Sequence, residues 1–166
     1  MDMVRLQDAV ELLNLAAEHG IKVFLDGGWG VDALIGRETR IHEDIDLVVE
    51  EKDCGRWIDI LKKLGFSEVI MEYTTEDHTV WKDGKDRVVD LHRFFDTQRE
   101  MICYEDNLFP KEVFSGKGMI GTVEVDCIDP ENQVQFHLGY AHDEKDVHDV
   151  MLLCDTFGIP VPKEYR

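Results

Sequence analysis

Two aspartates, Asp44 and Asp46, alternate with apolar residues in a short segment that is typical of a β-strand. In a strand, side chains at positions i and i+2 point to the same face, with about 6.5–7 Å between their Cα atoms. Two such carboxylates repel each other unless a cation lies between them. Because Mg²⁺ usually takes one or two carboxylates together with water and substrate phosphates, the pair indicates a site for a metal–nucleotide complex. The alternative is the acidic solvent face of an edge strand.

A glycine pair, Gly27-Gly28, precedes these aspartates, between a predicted strand at 21–25 and a predicted short helix at 31–35. Glycines at such a junction let backbone N–H groups come close to phosphate oxygens, and a helix N-terminus adds positive potential. The pair therefore predicts a phosphate-binding turn. Taken alone, it also fits a tight turn that requires positive φ, which is the commoner case.

A third carboxylate, Asp90, lies in the predicted strand 87–92, where it shares one face with His92. Attack of a hydroxyl on phosphorus is helped by a carboxylate that takes the hydroxyl proton, or by a metal ion that acidifies the hydroxyl. Asp90 is the candidate for both roles, as general base and as third metal ligand. His92 is a candidate second base, although a hydrogen-bonded structural imidazole is the commoner case.

The charge of the chain limits its partners. Its 166 residues carry 36 acidic and 18 basic side chains, a formal net charge of −18. This field repels the phosphate backbone of nucleic acid, so we expect no nucleic-acid partner, and it favours a small substrate that bears amines. No apolar stretch approaches the roughly 18 residues of a membrane span. Because the N-terminus also lacks a signal-peptide pattern, we expect no membrane partner and a cytoplasmic location.

Helices and strands alternate along the chain, which predicts an α/β fold. Apolar residues at helical spacing predict one helix from Leu6 to Gly20 and another that begins at Asp53 and ends at Gly65. Short apolar or alternating runs predict the strands. These runs lie at 21–25, 45–49, 67–73, 78–82, 87–92 and 123–128.

The last part of the chain predicts helices only. Asp129-Pro130 and Asp143 are typical of helix N-termini. We therefore expect a single domain over residues 1–166. Its core, about 1–128, would hold a mixed, twisted sheet of about five strands with flanking helices. A small C-terminal helical element would follow at about 129–166.

Three motifs, in this order, resemble the small antibiotic nucleotidyltransferases of the DNA polymerase β superfamily, especially the lincosamide and aminoglycoside nucleotidyltransferases. They are Leu25-Asp26-Gly27-Gly28-Trp29-Gly30-Val31-Asp32, Arg40-x-His42-x-Asp44-Ile45-Asp46 and Asp90-Leu91-His92. A weaker similarity continues through 136–140 to Asp146 and Asp149, whereas segment 94–121 carries little of it. The resemblance implies the polymerase β-like nucleotidyltransferase fold. Within the first motif, Asp26 and Asp32 are expected to cap or brace the turn.

The resemblance also implies roles for the candidate residues. Gly27 and Gly28 would bind the triphosphate of ATP or another nucleoside triphosphate. Asp44 and Asp46 would bind two Mg²⁺ ions, and Asp90 would be the third metal ligand or the general base.

Three basic residues are further candidates for nucleotide binding by the same resemblance. Arg40 and His42 lie on the loop that enters the metal-binding strand, where an arginine suits phosphate through its planar array of donors, although a loop arginine is as often simply solvated. Lys145 is the third candidate. Its alternative is a surface ion pair with Asp149, one helical turn further along.

The implied reaction transfers a nucleoside monophosphate, with AMP from ATP expected, to a hydroxyl of a small antibiotic and releases pyrophosphate. A lincosamide is the expected acceptor and an aminoglycoside the next, and the resemblance implies a homodimer. Two other classes stay open. One is a nucleotidyltransferase of toxin–antitoxin type that modifies a protein, and the other is a catalytically silent nucleotide-binding module.

Overall fold

A mixed β-sheet with helices packed against it forms the body of the structure, a computed structural model that describes all 166 residues. Five α-helices and nine strands follow one another along the chain. They are α1 (Leu6–Glu18), β1 (Val23–Asp26), α2 (Gly27–Ile35), β2 (Ile45–Glu50), α3 (Glu51–Lys63), β3 (Ser67–Val69), β4 (His78–Lys82), β5 (Val88–Asp96), β6 (Met101–Tyr104), β7 (Asn107–Pro110), β8 (Gly116–Ile120), β9 (Val123–Cys127), α4 (Pro130–Gln135) and α5 (Glu144–Phe157).

The strands of the sheet lie in the order β3-β4-β5-β2-β1-β9-β8, and β6 pairs with β5 and with β7. Strands β1 and β2 are antiparallel, whereas β2 pairs with β5 and β1 with β9 in parallel. The predicted α/β class with a mixed sheet is confirmed. The sheet has nine strands, more than the expected five or so, and three of them, β6, β7 and β8, lie in segment 94–121, which shows no clear alternation.

Alternation along the central strands gives the sheet two different faces. On one face Ile45, Leu47 and Val49 of β2 join a core of 22 buried residues, to which α1 and α3 contribute. On the other face Val48 of β2 and Phe94 of β5 lie in a smaller cluster that is rich in aromatic rings. Because Asp44 and Asp46 alternate with the first set, their side chains point to the second face.

The C-terminal helices pack against α2. Val31 of α2 lies in a third buried cluster with Val134 of α4 and Leu153 of α5. Asp129 and Asp143 cap α4 and α5, as the sequence predicts, by accepting hydrogen bonds from backbone N–H groups of the first turn. The structure has no helix with the length and apolarity that crossing a membrane requires.

Some helix boundaries differ from those predicted. Helix α2 begins at Gly27 itself, since Asp26 caps it through the N–H of that glycine, so the glycine pair lies inside the first turn. Helix α3 has Glu50 as its N-cap instead of Asp53. Strand β3 ends at Val69 instead of residue 73, where its pairing with β4 ends.

A close backbone contact between α2 and β8 explains a strand that the sequence did not reveal. A Cβ atom on Gly118 of β8 would overlap the backbone carbonyl of Ala33 in α2. The glycine lowers the strand propensity of the segment but lets the helix lie directly on it. The position of α2, and so of the glycine turn at its start, depends on this contact.

We expect Gly118→Ala to destabilise the protein by about 1–3 kcal/mol, because the added methyl group meets backbone that cannot move aside cheaply. Urea unfolding measures the change. Gly55→Ala is the matched control, since Gly55 is exposed in α3 with open space around it. That variant should be as stable as the wild type or up to about 1 kcal/mol more stable. Equal stability of the two variants would contradict the packing argument.

Candidate active site

Three aspartates lie in a row across three neighbouring strands. In the pairing of β1 with β2, Asp26 is opposite Asp46, and in the pairing of β2 with β5, Asp46 is opposite Asp90. Neighbouring strands are only about 4.8 Å apart. Asp44 directly precedes β2 and shares the face of Asp46. The structure thus brings together Asp44, Asp46 and Asp90, the three predicted metal-binding residues.

The carboxylates repel one another at this place. Burial, followed by the charges of Asp46 and Asp90, raises the pKa of Asp44 to about 8. Burial also raises the pKa of Asp46, against the opposing effect of His92. A group of carboxylates that resists ionisation without a counter-charge is a site that favours a cation.

Two histidines donate hydrogen bonds to this row. Nε2 of His92 lies 2.8 Å from Oδ1 of Asp46, and Nε2 of His78 lies 2.7 Å from Oδ1 of Asp90. The two rings stack with 4.2 Å between their centroids. Although burial lowers it, the hydrogen bond and charge of Asp46 raise the pKa of His92 to about 9. The two imidazoles therefore orient the carboxylates, and the charge of His92 partly compensates that of Asp46.

His78 was not among the predicted site residues. Its residue type and its place in a predicted strand were visible, but its partner was not, because the register of β4 against β5 sets His78 opposite His92. For His92, the hydrogen-bonded imidazole is the form that the structure contains.

The donor set of Asp44, Asp46 and Asp90 fits Mg²⁺. Carboxylate oxygens are the ligands this hard cation prefers, and the raised pKa of Asp44 marks an excess of negative charge. As the side chains lie, no three acidic, histidine or cysteine side chains converge on one point as metal ligands. Asp46 and Asp90 are instead turned towards His92 and His78.

The glycine turn lies directly against this row. Gly27 has φ of +60°, and a Cβ atom there would overlap Oδ2 of Asp46, so both conformation and space require glycine. Asp26 fixes the turn by accepting hydrogen bonds from the N–H of Gly27, at 2.7 Å, and from Tyr104 and Gln133. Its expected role as a cap is confirmed, whereas Tyr104 and Gln133 come from segments far along the chain and were not predicted.

Two of the predicted nucleotide-binding residues pack against Gly28. A Cβ atom on Gly28 would overlap Nη2 of Arg40 and lie 2.7 Å from Nδ1 of His42. The other side of each group is held by a carboxylate. Arg40 donates two hydrogen bonds to Asp149, at 2.8 and 3.0 Å, and Nε2 of His42 lies 2.7 Å from Asp32. Asp32 thus braces the turn as expected, and nucleotide binding by Arg40 and His42 stays a prediction.

Lys145, at the start of α5, lies near the carboxylates. Its ammonium group is 3.3 Å from Glu43, and its charge acts to lower the pKa of Asp44. The alternative of an ion pair with Asp149 is wrong, because Arg40 occupies that carboxylate. An ammonium group beside the acidic row, paired with the exposed Glu43, is placed to meet an anionic ligand.

A cavity of about 540 Å³ opens beside the two histidines. Tyr73 contributes exposed aromatic surface to its lining, and Glu105 and Asp106 contribute negative charge. The size suits a small organic molecule, and the lining suits one with apolar surface and amines.

The family model for aminoglycoside-2''-adenylyltransferase matches residues 8–153, most of the chain. This chain belongs to that family. A lincosamide resistance protein of Staphylococcus haemolyticus is 27% identical over 143 residues, which are 84% of this chain and 88% of that protein. A 2''-aminoglycoside nucleotidyltransferase of Escherichia coli is 35% identical over 65 residues, 39% of this chain and 37% of that protein.

Solved structures agree with this adenylyltransferase family. The lincomycin-bound lincosamide antibiotic adenylyltransferase LnuA has a TM-score of 0.81 and 25% identity, covering 95% of this chain and 99% of LnuA. ANT(2")-Ia in complex with adenylyl-2"-tobramycin has a TM-score of 0.76 and 22% identity, covering 92% and 89%, and supports the fold alone. The predicted resemblance is confirmed, and this member of the family is an enzyme of the nucleotidyltransferase class.

Replacing Asp44 tests the repulsion within the site. Folding raises the pKa of the Asp44 carboxyl group from its ordinary value of 3.8 to about 8. As the pH increases between these two values, the group ionises more readily in the unfolded chain than in the folded one, so the folded state loses stability. We therefore expect Asp44→Asn to raise the Tm of the metal-free protein at pH 8, by about 2–4 °C for each kcal/mol of repulsion removed. The gain should vanish towards pH 4.

Thermal unfolding in the presence of a chelator measures this difference. Asp59→Asn, an exposed position in α3, is the control and should show no such pH dependence. The same gain at pH 4 and pH 8 would contradict the electrostatic explanation.

Proposed function

We propose that this enzyme transfers AMP from ATP, with Mg²⁺, to a hydroxyl of a lincosamide antibiotic and releases pyrophosphate. The observation that carries the proposal is the row of Asp44, Asp46 and Asp90 directly beside the glycine turn at the start of α2. Nucleotidyl transfer requires carboxylates that hold a metal and a turn that binds phosphate. The candidates for both lie on one face of the sheet.

The choice of acceptor is supported by the extent of similarity. The similarity to the lincosamide resistance protein covers 84% of the chain, whereas that to the aminoglycoside enzyme covers 39%. The cavity beside His78 and His92 combines aromatic with acidic surface, which suits an acceptor with apolar groups and an amine. An aminoglycoside is the second candidate, because the matching family model carries the name of an aminoglycoside adenylyltransferase.

Nucleotide binding is assigned to the glycine turn and its neighbours. The N–H groups of Gly27 and Gly28, in the first turn of α2, would donate to phosphate oxygens. Lys145 would meet the same phosphates from α5, across the acidic row. Asp44, Asp46 and Asp90 would hold two Mg²⁺ ions. When bound, Mg²⁺ supplies neutralisation of phosphate charge and a lower pKa of the acceptor hydroxyl.

The chemical step uses Asp90. The acceptor oxygen forms a bond to the α-phosphorus, the bond from that phosphorus to the oxygen bridging to the β-phosphate breaks, and pyrophosphate leaves with the bonding electrons. Asp90 takes the hydroxyl proton as general base. His78 donates its Nε2–H to Oδ1 of Asp90, so it fixes the orientation of the carboxylate.

We expect Asp90→Asn to lower kcat by at least about 10²-fold, since an amide neither accepts the proton nor binds the metal well. Nucleotide binding should change little, because the glycine turn and Lys145 are intact. Steady-state kinetics and calorimetry with ATP measure the two effects. Full transfer activity in the variant would remove Asp90 from the mechanism.

A mass-shift screen tests the acceptor. The protein is incubated with ATP and Mg²⁺ and either lincomycin or tobramycin, and each product is examined by mass spectrometry for an added adenylyl group. Modified lincomycin supports the proposal. Modified tobramycin alone favours the second candidate. If an adenylyl group from ATP is found on a polypeptide, the chain is a protein-modifying enzyme. ATP binding without transfer to any acceptor indicates a silent module.

The homodimer that the family resemblance implies stays a prediction. Light scattering of the purified chain tests it, at a protein concentration where the enzyme is active. A monomer with full activity would contradict it.

A further inference from the structure

A buried ion pair joins the loop after α2 to the last helix. The guanidinium of Arg40 donates from Nε and Nη2 to the two carboxylate oxygens of Asp149, at 3.0 and 2.8 Å, across 109 residues of sequence. The side chain of Asp149 is 3% exposed and that of Arg40 is 19% exposed. The remaining nitrogen, Nη1, donates to the backbone carbonyl of Ile41. All three nitrogens of this guanidinium thus already donate to acceptors within the protein.

Each end of the pair lies next to a different part of the proposed nucleotide site. At one end, Nη2 of Arg40 lies so close to Gly28 that a Cβ atom there would overlap it, so the guanidinium supports the back of the glycine turn. At the other end, Asp149 lies one helical turn after Lys145 in α5, and residues four apart share one face of a helix. The pair therefore fixes the distance between the turn and the lysine.

We propose that Asp149 is a positioning residue for nucleotide binding. By holding Arg40 it keeps Gly28 and Lys145 on the two sides of the acidic row, so that both reach one triphosphate. The inference rests on the proposed function, because it presupposes a nucleotide at this site. Asp149 itself touches no substrate, and its effect passes through Arg40 and α5.

The sign of one mutational effect separates this role from direct phosphate binding by Arg40. If Arg40 bound phosphate itself, Asp149 would compete for the guanidinium, and Asp149→Asn would leave nucleotide binding unchanged or strengthen it. If Asp149 holds the site together, the same substitution weakens nucleotide binding. The two readings predict changes of opposite direction in one measured Kd.

A second buried pair provides a matched control. Asp83 and Arg87 form an ion pair with side chains 3% and 6% exposed. Arg87 also contacts Glu11 of α1, so this pair lies on the helical side of the sheet, away from the carboxylate row. Asp83→Asn likewise leaves a buried arginine without its main partner, and it should lower stability as Asp149→Asn does.

The experiment measures the Kd of a non-hydrolysable ATP analogue with Mg²⁺ by calorimetry, at a temperature where thermal unfolding shows all variants folded. We expect Asp149→Asn to raise this Kd roughly tenfold, a typical coupling for one buried contact. Asp83→Asn should leave it within about twofold of the wild type. Asp149→Glu, which keeps the charge but not the distance, should give an intermediate Kd.

A double-mutant cycle tests the path through α5. In a Lys145→Met background, Asp149→Asn should weaken nucleotide binding by a smaller factor than in the wild type, because part of its effect passes through Lys145. A purely structural loss would give the same factor in both backgrounds.

The outcomes separate the two proposals. Unchanged or tighter nucleotide binding in Asp149→Asn overturns the positioning role while leaving the proposed function intact. An equal loss in Asp83→Asn also overturns it, since general destabilisation would then explain the effect. A wild-type chain that binds no nucleoside triphosphate overturns the proposed function and the positioning role together. If Asp149→Asn does not fold, Asp149→Glu takes its place, and an unchanged Kd in that variant overturns the role.

Discussion

Repulsion among buried carboxylates is the constraint around which this site is built. The strand pairings set Asp26, Asp46 and Asp90 side by side, and Asp44 adds a fourth negative group on the same face. Three of the four accept hydrogen bonds from the surrounding structure. Asp26 accepts hydrogen bonds from a backbone amide and two side chains, and Asp46 and Asp90 each receive an imidazole N–H. Only Asp44 has no such donor, which agrees with the strong rise of its pKa.

Several features of the surrounding fold position these carboxylates and the glycine turn. The aromatic cluster on the carboxylate face supplies Tyr104, whose hydroxyl reaches Asp26, so one side chain serves both packing and the site. On the edge of the sheet, the missing side chain of Gly118 lets α2 lie close, which sets where the glycine turn begins. Residues outside the three motifs therefore also hold the site in place.

The sequence predicts the components of the site better than their connections. Alternation around Asp44 and Asp46 is a local property with a period of two residues, so their strand and shared face can be read directly. The partners of Asp90 and Arg40 cannot, because they depend on strand order and on helix packing. His78 meets Asp90 only through the register of β4 with β5, and Asp149 meets Arg40 across 109 residues. Strand β8 was not predicted for another reason, because its glycines lower the strand propensity of the segment and serve a tertiary contact.

Arg40 and Asp149 are 109 residues apart in the sequence, and this separation affects the order in which the enzyme folds during synthesis. The glycine turn and β2 leave the ribosome early, but the brace of the turn comes from α5. Contacts of such high sequence separation form late, since the loop between them must close first. During synthesis, all three motifs are thus complete before the nucleotide site is. A chain that stops short of Asp149 would keep all three motifs and lack the contact that holds its turn.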